Sequence, residues 1–387
     1  MNVIEVIIPE HLNFGRNINF NPSITHLHDN IFLVSFNSFR RGIGRKVIDR
    51  TPSVTNPDHV WYGGPGSYTW WNPDFYGFLS SGYMIVEIIN NDINIKQIIN
   101  TPGVGTDTRI SMTPLGVLAT TALSIDYDLN RSHGFDRYKY DLPTINCSDC
   151  GSIFAKVLNI TYRNNIYSIT NANEEGQLLC DNLGADDKNW SVFNVDNKIY
   201  LSYWLSPKHT VFIPEDSWNM CSAILEKNIN IFYRIEKYYQ SHVKFSLSTP
   251  AIMFDDRMLG VKGRMLGVGH VKIICDNITP GTPAHTFYLN NKDISTHPYR
   301  KTLYMMFFYT FNIDTFDILH VSTAFFPPTT QNGVVYPVGL EYFDDQYIIS
   351  YGEGDSQMKF LFILPETIKE MLIAENMIPI SYIFTRY

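Results

Sequence analysis

The sequence predicts an all-β protein, a five-bladed β-propeller with a short C-terminal helix. Three observations lead there: strand-like runs dominate the chain, one phrase returns five times, and no Pro/Gly/Ser-rich tether divides the 387 residues. Residues 1–387 are therefore expected to form a single domain.

The strand-like runs are IFLVSF from Ile31, YMIVEII from Tyr83, GVLATTALSI from Gly116, IFAKVLNITY from Ile153 and KIYLSYWL from Lys198, with more toward the end. Each is short, rich in β-branched and aromatic residues, and bounded by Gly, Pro, Asn or Asp. The recurring phrase is a polar turn followed by a strand: DNIFLVSF at Asp29, LGVLATTAL at Leu115, DNKIYLSYW at Asp196, GRMLGVGHV at Gly263 and DDQYIISYG at Asp344. Starts roughly 65 to 90 residues apart suit a repeated unit, and five small twisted sheets closed in a ring leave few exposed edges. Two packed sandwiches are the competing architecture. Helical periodicity shows only in PETIKEMLIAE (Pro365 to Glu375), with Pro at its start and Ile368, Met371 and Leu372 on one face.

With 44% hydrophobic, 14% aromatic and 18% charged residues, the chain can bury a sizeable core. A net charge of -8 and the lack of any Lys/Arg run argue against nucleic acid as a partner. No apolar run approaches the roughly 18 residues of a membrane-spanning helix, and Glu5 interrupts the N-terminal apolar patch. The expectation is a cytoplasmic protein without a membrane partner. Five Cys with a lone CxxC, Cys147 to Cys150, do not make a metal site. The Asn and Ile richness hints at an AT-rich genome, such as that of a large DNA virus or a parasite.

In a propeller, ligands sit at the axial funnel, so a site draws single residues from several blades. The polar groups beside the recurring phrases are Arg40 and Arg41, Asp107 and Arg109 in GVGTDTRI, Lys188 and Asn189 in DDKNWSVF, His209 in SPKHTVF, His270 in GVGH and Asp355 in YGEGD. Trp70, Trp71, Tyr62, Tyr68 and Phe75 share one long loop, where they either stack on an acceptor sugar or pack the loop down.

The phrases FNPSITHLHDNIFLVSF from Phe20, GTDTRISM from Gly105, KNWSVFNVDNKIYLSYWLSPKH from Lys188, STPAI with LGVGHVKI, and YPVGLEYFDDQYIISYGEGD from Tyr336 span about nine-tenths of the chain. In that order they resemble the five-bladed propellers of glycoside hydrolase family 130 and, still more, the β-mannosyl-transferring proteins of glycosyltransferase family 108. The resemblance implies a carbohydrate substrate and an inverting displacement driven by one general acid, an Asp in a (Glu or Tyr)-Asp-Pro-Arg phrase. Asp107 in Thr106-Asp107-Thr108-Arg109 matches it, with Thr108 in place of Pro. A partly buried carboxyl can protonate a leaving glycosidic oxygen while Arg109 orients it. The plain alternative is a turn cap with a structural ion pair.

By the same resemblance Asp355, with Tyr351, lies beside the mannosyl position, although GEGD is also ordinary turn chemistry. His209 and His270 are candidates for sugar hydroxyls or an anion; a lone His is otherwise a structural residue. Lys188 and Asn189 are candidates for an anion or the acceptor, and Arg40 for substrate. No cofactor is implied beyond inorganic phosphate or a sugar phosphate as co-substrate. Leu205-Ser206-Pro207 stands where family 130 phosphorylases have part of an arginine-rich phosphate pocket, which sets phosphate use against transfer from an activated sugar and hydrolysis. A propeller that binds glycans or proteins without catalysis is the alternative from another class, and it predicts a funnel without a buried acid.

RMLGV occurs twice, at Arg257 and Arg264. Seven is an odd offset, so one continuous strand could not present both copies alike. Lys262 and Gly263 are therefore expected to turn the chain, with the first copy as an added hairpin limb and His270 on an inner strand.

Overall fold

A computed structural model describes residues 1–9, 17–40, 79–103, 106–123, 152–171, 189–214, 221–224, 229–240, 242–254, 263–274, 279–290, 302–354, 356–379 and 381. β1 (Asn2–Val6) stands apart in sequence from the sheet it joins. Blade one is β2 (Asn17–His28), β3 (Ile31–Arg40), β4 (Leu79–Ile89) and β5 (Asp92–Gly103). Blade two is β6 (Thr106–Thr113), β7 (Gly116–Leu123), β8 (Ser152–Arg163) and β9 (Ile166–Asn171). Blade three is β10 (Ser191–Val195), β11 (Lys198–Trp204), β12 (Thr210–Pro214) and β13 (Cys221–Ile224).

Helix α1 (Ile231–Tyr238) leads into blade four, whose inner edge is β14 (Val243–Leu247) and β15 (Ile252–Met253), both paired with β16 (Arg264–Ile274). Helix α2 (Pro283–Asn290) precedes β17 (Thr302–Asn312) and β18 (Ile318–Ser322), which continue that sheet. Blade five is β19 (Val335–Phe343), β20 (Gln346–Glu353) and β21 (Gln357–Ile363), completed by β1 as its outermost strand. The N-terminus thus closes the ring, and β2 packs on both β19 and β6.

All five recurring phrases are the second strands of their blades: β3, β7, β11, β16 and β20. The physical cause is burial on both faces. Phe32 and Val34 of β3 face the core shared with blade five, whereas Leu33 between them faces the core shared with blade two. Strand alternation therefore meets apolar neighbours on either side, and the sequence reads as an unbroken apolar run. The turns are equally local in origin. Asn90-Asn91, Asn164-Asn165, Asp196-Asn197 and Asp344-Asp345 have φ between +48° and +67° and close two-residue hairpins, a conformation that Asn and Asp tolerate.

The sequence expectations need three corrections. The C-terminal helix, α3 (Pro365–Met371), buries Ile368 and Met371 but stops there, because Leu372–Ala374 pair with β18 as β22. Two further helices, α1 and α2, were not anticipated; α1 starts on an Asn230 cap and buries Ile231, Phe232 and Ile235. His270 lies on β16, the second strand of blade four rather than its innermost, since β14 and β15 occupy the inner edge. Gly263 does turn the chain into β16, with φ +83°, but Lys262 and the first RMLGV copy lie outside the described residues. Among the described residues no helix is long and apolar enough to cross a membrane.

Candidate active site

The inner strands are distorted where they converge. The register of β2 against β3 shifts between Phe20 and Ser23, and that of β6 against β7 between Thr106 and Arg109. Asn21 (φ +50°) and Asp107 (φ +53°) sit in these two bulges, in a left-handed conformation that Asn and Asp adopt at least cost. A bulge turns one extra side chain out of the pleat, and both of these turn toward each other.

Asp107 is 2% exposed. Its Oδ1 accepts hydrogen bonds from Asn21 Nδ2 at 2.8 Å and Asn37 Nδ2 at 3.0 Å, while Asn37 Oδ1 accepts the Asp107 backbone N–H at 3.0 Å. That last bond fixes which way the Asn37 amide points. Two amide N–H donors thus converge on Oδ1.

Arg109, also buried, ties the blades together. Its Nε donates to the Ser248 carbonyl, one Nη to the Asp107 carbonyl at 3.1 Å, and the other to Asn189 Oδ1 at 3.1 Å and the Tyr336 hydroxyl at 2.8 Å. The Tyr336 hydroxyl in turn donates to Asn189 Oδ1 at 2.6 Å, and its ring centre lies 5.9 Å from the guanidinium carbon. His270 Nδ1 meets Ser248 Oγ at 2.6 Å, and its ring stacks on Tyr304 with centroids 5.6 Å apart. The result is a buried polar network drawn from all five blades, as an axial site requires.

Of the sequence candidates, Asp107, Arg109, Asn189 and His270 are brought together. His209 is not among them. It is fully buried within blade three and against the β17–β18 turn, where the Phe316 carbonyl takes its Nδ1–H at 2.8 Å and Ser202 Oγ lies 2.9 Å from Nε2. Burial pushes its imidazole down to about 4, so it stands neutral as a packing residue. Tyr351 is buried in the core of blade five, with its hydroxyl unpartnered among the described residues and pushed well above the ordinary tyrosine range by burial. Its neighbour Gly352 packs against Asn21. Arg40 ends β3. Lys188, Asp355, Arg41, the Cys147 to Cys150 pair and the aromatic loop with Trp70 and Trp71 lie outside the described residues.

Sequence reasoning missed Asn21, Asn37, Ser248 and Tyr336 as site residues. Asn21, Ser248 and Tyr336 stand inside phrases that carried the resemblance (FNPSI, STPAI and YPVGL), and Asn37 is the polar residue that directly follows another, DNIFLVSF. That break in the pattern was the available signal.

No protein-family model matches the sequence, and no curated protein sequence matches it. Solved structures do. A glycosyl hydrolase from Bacteroides ovatus aligns over 91% of this chain and 85% of its own, at 13% identity and a TM-score of 0.50. A β-1,2-mannobiose phosphorylase from Listeria innocua aligns over 96% and 99%, at 12% identity and 0.49. A structure from work on the mannoside phosphorylases of glycoside hydrolase family 130, which contain hydrolases targeting β-1,2-mannosidic linkages in Candida mannan, aligns over 91% and 86%, at 14% and 0.48. The likeness is one of fold: the five-bladed ring that the resemblance to family 130 implied is the ring observed.

Proposed function

We propose that the protein is a carbohydrate-active enzyme that forms or cleaves β-mannosidic or similar glycosidic bonds by a single inverting displacement, with Asp107 as its acid. The observation that carries this reading is the clamp on Asp107: a buried carboxyl at a left-handed bulge, with one oxygen held by two amides. Strained backbone at a buried acid is retained where geometry serves chemistry. In cleavage, the Asp107 carboxyl gives its proton to the leaving glycosidic oxygen as the bond to the anomeric carbon breaks, and an oxygen nucleophile attacks that carbon from the opposite face. In synthesis the acceptor hydroxyl attacks the anomeric carbon of a mannosyl donor and passes its proton to the Asp107 carboxylate, while the bond from that carbon to the donor's phosphate or nucleotide oxygen breaks and this group leaves from the opposite face. Arg109 and Asn189 hold the blades rigid around Asp107, and His270 supplies a hydrogen-bonding edge for a sugar hydroxyl or an anion.

Transfer to an acceptor from an activated sugar is the favoured form and hydrolysis the second. Leu205-Ser206, in place of basic residues, counts against free phosphate as the nucleophile and for an activated sugar as donor. The binding-only propeller predicts an axis without a buried acid, and the 2% exposure of Asp107 favours the enzyme.

The test is a product assay of the wild type and Asp107→Asn with mannose 1-phosphate, GDP-mannose and short β-mannosides, with and without phosphate. Chain growth lost in the variant identifies a transferase; released mannose identifies a hydrolase. Turnover retained by Asp107→Asn would remove this mechanism.

A further inference from the structure

A pocket lies beside the axial network, and it contains none of the residues that hold or orient Asp107. Its volume is about 210 Å³, below the ~300–1,000 Å³ of sites for drug-sized ligands, so it takes one small ring. It opens between blades three and four, lined by Tyr203, Trp204, Ser206, Glu236, Lys244 and Ser246 among others. The β11–β12 register slips between Ser202 and Trp204, and a bulge of this kind re-aims the side chain that follows. Trp204 stacks on Tyr203 with centroids 4.8 Å apart and is 40% exposed, so one indole face is covered and the rest is open.

The polar groups are held in place rather than loose. Glu236 Oε1 accepts the Phe245 N–H at 2.8 Å and Oε2 accepts Ser206 Oγ at 2.7 Å, leaving each oxygen a second lone pair for a ligand hydroxyl. Lys244, an exposed residue, lines the same pocket. A carboxyl and an ammonium in one small pocket disfavour both a simple anion and a simple cation. They suit a neutral ligand with many hydroxyls and an apolar face, which is a sugar ring.

The position ties the pocket to the site. Ser246 pairs with His270 across the β14–β16 ladder, and two residues on, roughly 7 Å along the strand, the Ser248 carbonyl holds Arg109. We propose that this pocket is an additional saccharide subsite, which seats a sugar unit away from the reacting bond with its ring on Trp204 and its hydroxyls on Glu236, Ser206 and Lys244. The proposal rests on the carbohydrate reading above.

Calorimetric titration of the wild type, Trp204→Ala, Lys244→Ala and Asp107→Asn with β-linked manno-oligosaccharides of two, three and four units tests it. The expected result is tighter binding of longer ligands by the wild type and Asp107→Asn. Trp204→Ala should lose at least tenfold for the longer ones while binding the disaccharide normally, and Lys244→Ala should lose a smaller factor in the same pattern. Lys244 is exposed and Trp204 partly so, and both variants should therefore remain folded, which thermal melts check. Length dependence unchanged in both variants would overturn the subsite and leave the enzyme reading standing. Failure of the wild type to bind any of the oligosaccharides would overturn both.

Discussion

Asn37 grips Asp107 twice, donating from Nδ2 to the carboxyl and accepting the backbone N–H on Oδ1, each at 3.0 Å. The two residues belong to neighbouring blades, so the pair both positions the acid and joins β3 to β6. Asn37→Ala leaves a buried N–H without its acceptor and removes one donor from the carboxyl. A stability loss of about 2–4 kcal/mol is expected, together with a fall in kcat of at least about 100-fold at a temperature where the variant is folded. Circular dichroism melts and turnover on the responsive substrate measure the two; an active, normally stable variant would show that the grip is incidental.

Arg109 should not tolerate the conservative change. Its guanidinium serves acceptors from four blades: Asp107, Asn189, Ser248 and Tyr336. Lysine offers three donors from a single point and cannot reproduce that planar fork. Arg109→Lys is expected to lose about 3 kcal/mol or more in urea unfolding. A loss under about 1 kcal/mol would mean that blade convergence does not depend on this residue.

His209 makes stability fall with acid. The unfolded chain takes up this proton near pH 6.5, whereas the native state holds it off until about pH 4. A depressed native value means that the unfolded state binds more protons in that window, so stability is complete above it and is lost as pH drops through it. The loss by pH 5 is roughly 2 kcal/mol. Glu341 and Glu236, pushed up by burial, act in the opposite direction, and therefore the comparison must be between proteins. His209→Gln should be less stable than the wild type at pH 7, with the gap narrowing at pH 5. A gap that stays constant in urea titrations at the two pH values would mean that His209 is not held neutral.

The ring was legible because second strands buried on both faces give continuous apolar runs, and paired Asn and Asp residues mark the hairpins between strands. Helix α1 was not legible because it is eight residues long, and its burial against blade four, rather than a long periodic stripe, makes it stable. In the candidate site, Asp107 and Arg109 stood out as charges close together near a strand. Asn21 and Tyr336 did not, because their roles arise from bulges and from blades more than 200 residues apart, as in the Arg109–Tyr336 bond. His209 was misleading for the opposite reason: a histidine in a polar phrase reads alike whether its two nitrogens face a ligand or, as here, a carbonyl and a serine.

Gly352 offers the most selective test of how the acid is held. A Cβ at this position would lie 1.9 Å from Asn21 Oδ1 and 3.0 Å from its backbone nitrogen, so Gly352→Ala must displace Asn21 and with it the 2.8 Å bond to Asp107. Gly281 is the matched control, since a Cβ there meets nothing within 4 Å although its φ is +85°. Gly281→Ala should cost about 1 kcal/mol through backbone strain and leave turnover intact. Gly352→Ala should reduce kcat by at least about tenfold beyond any loss that its melting temperature explains, because a shifted Asn21 removes one of the two amides that hold the carboxyl. Turnover that tracks thermal stability alike in both variants would mean that Asn21 packs beside the acid without positioning it.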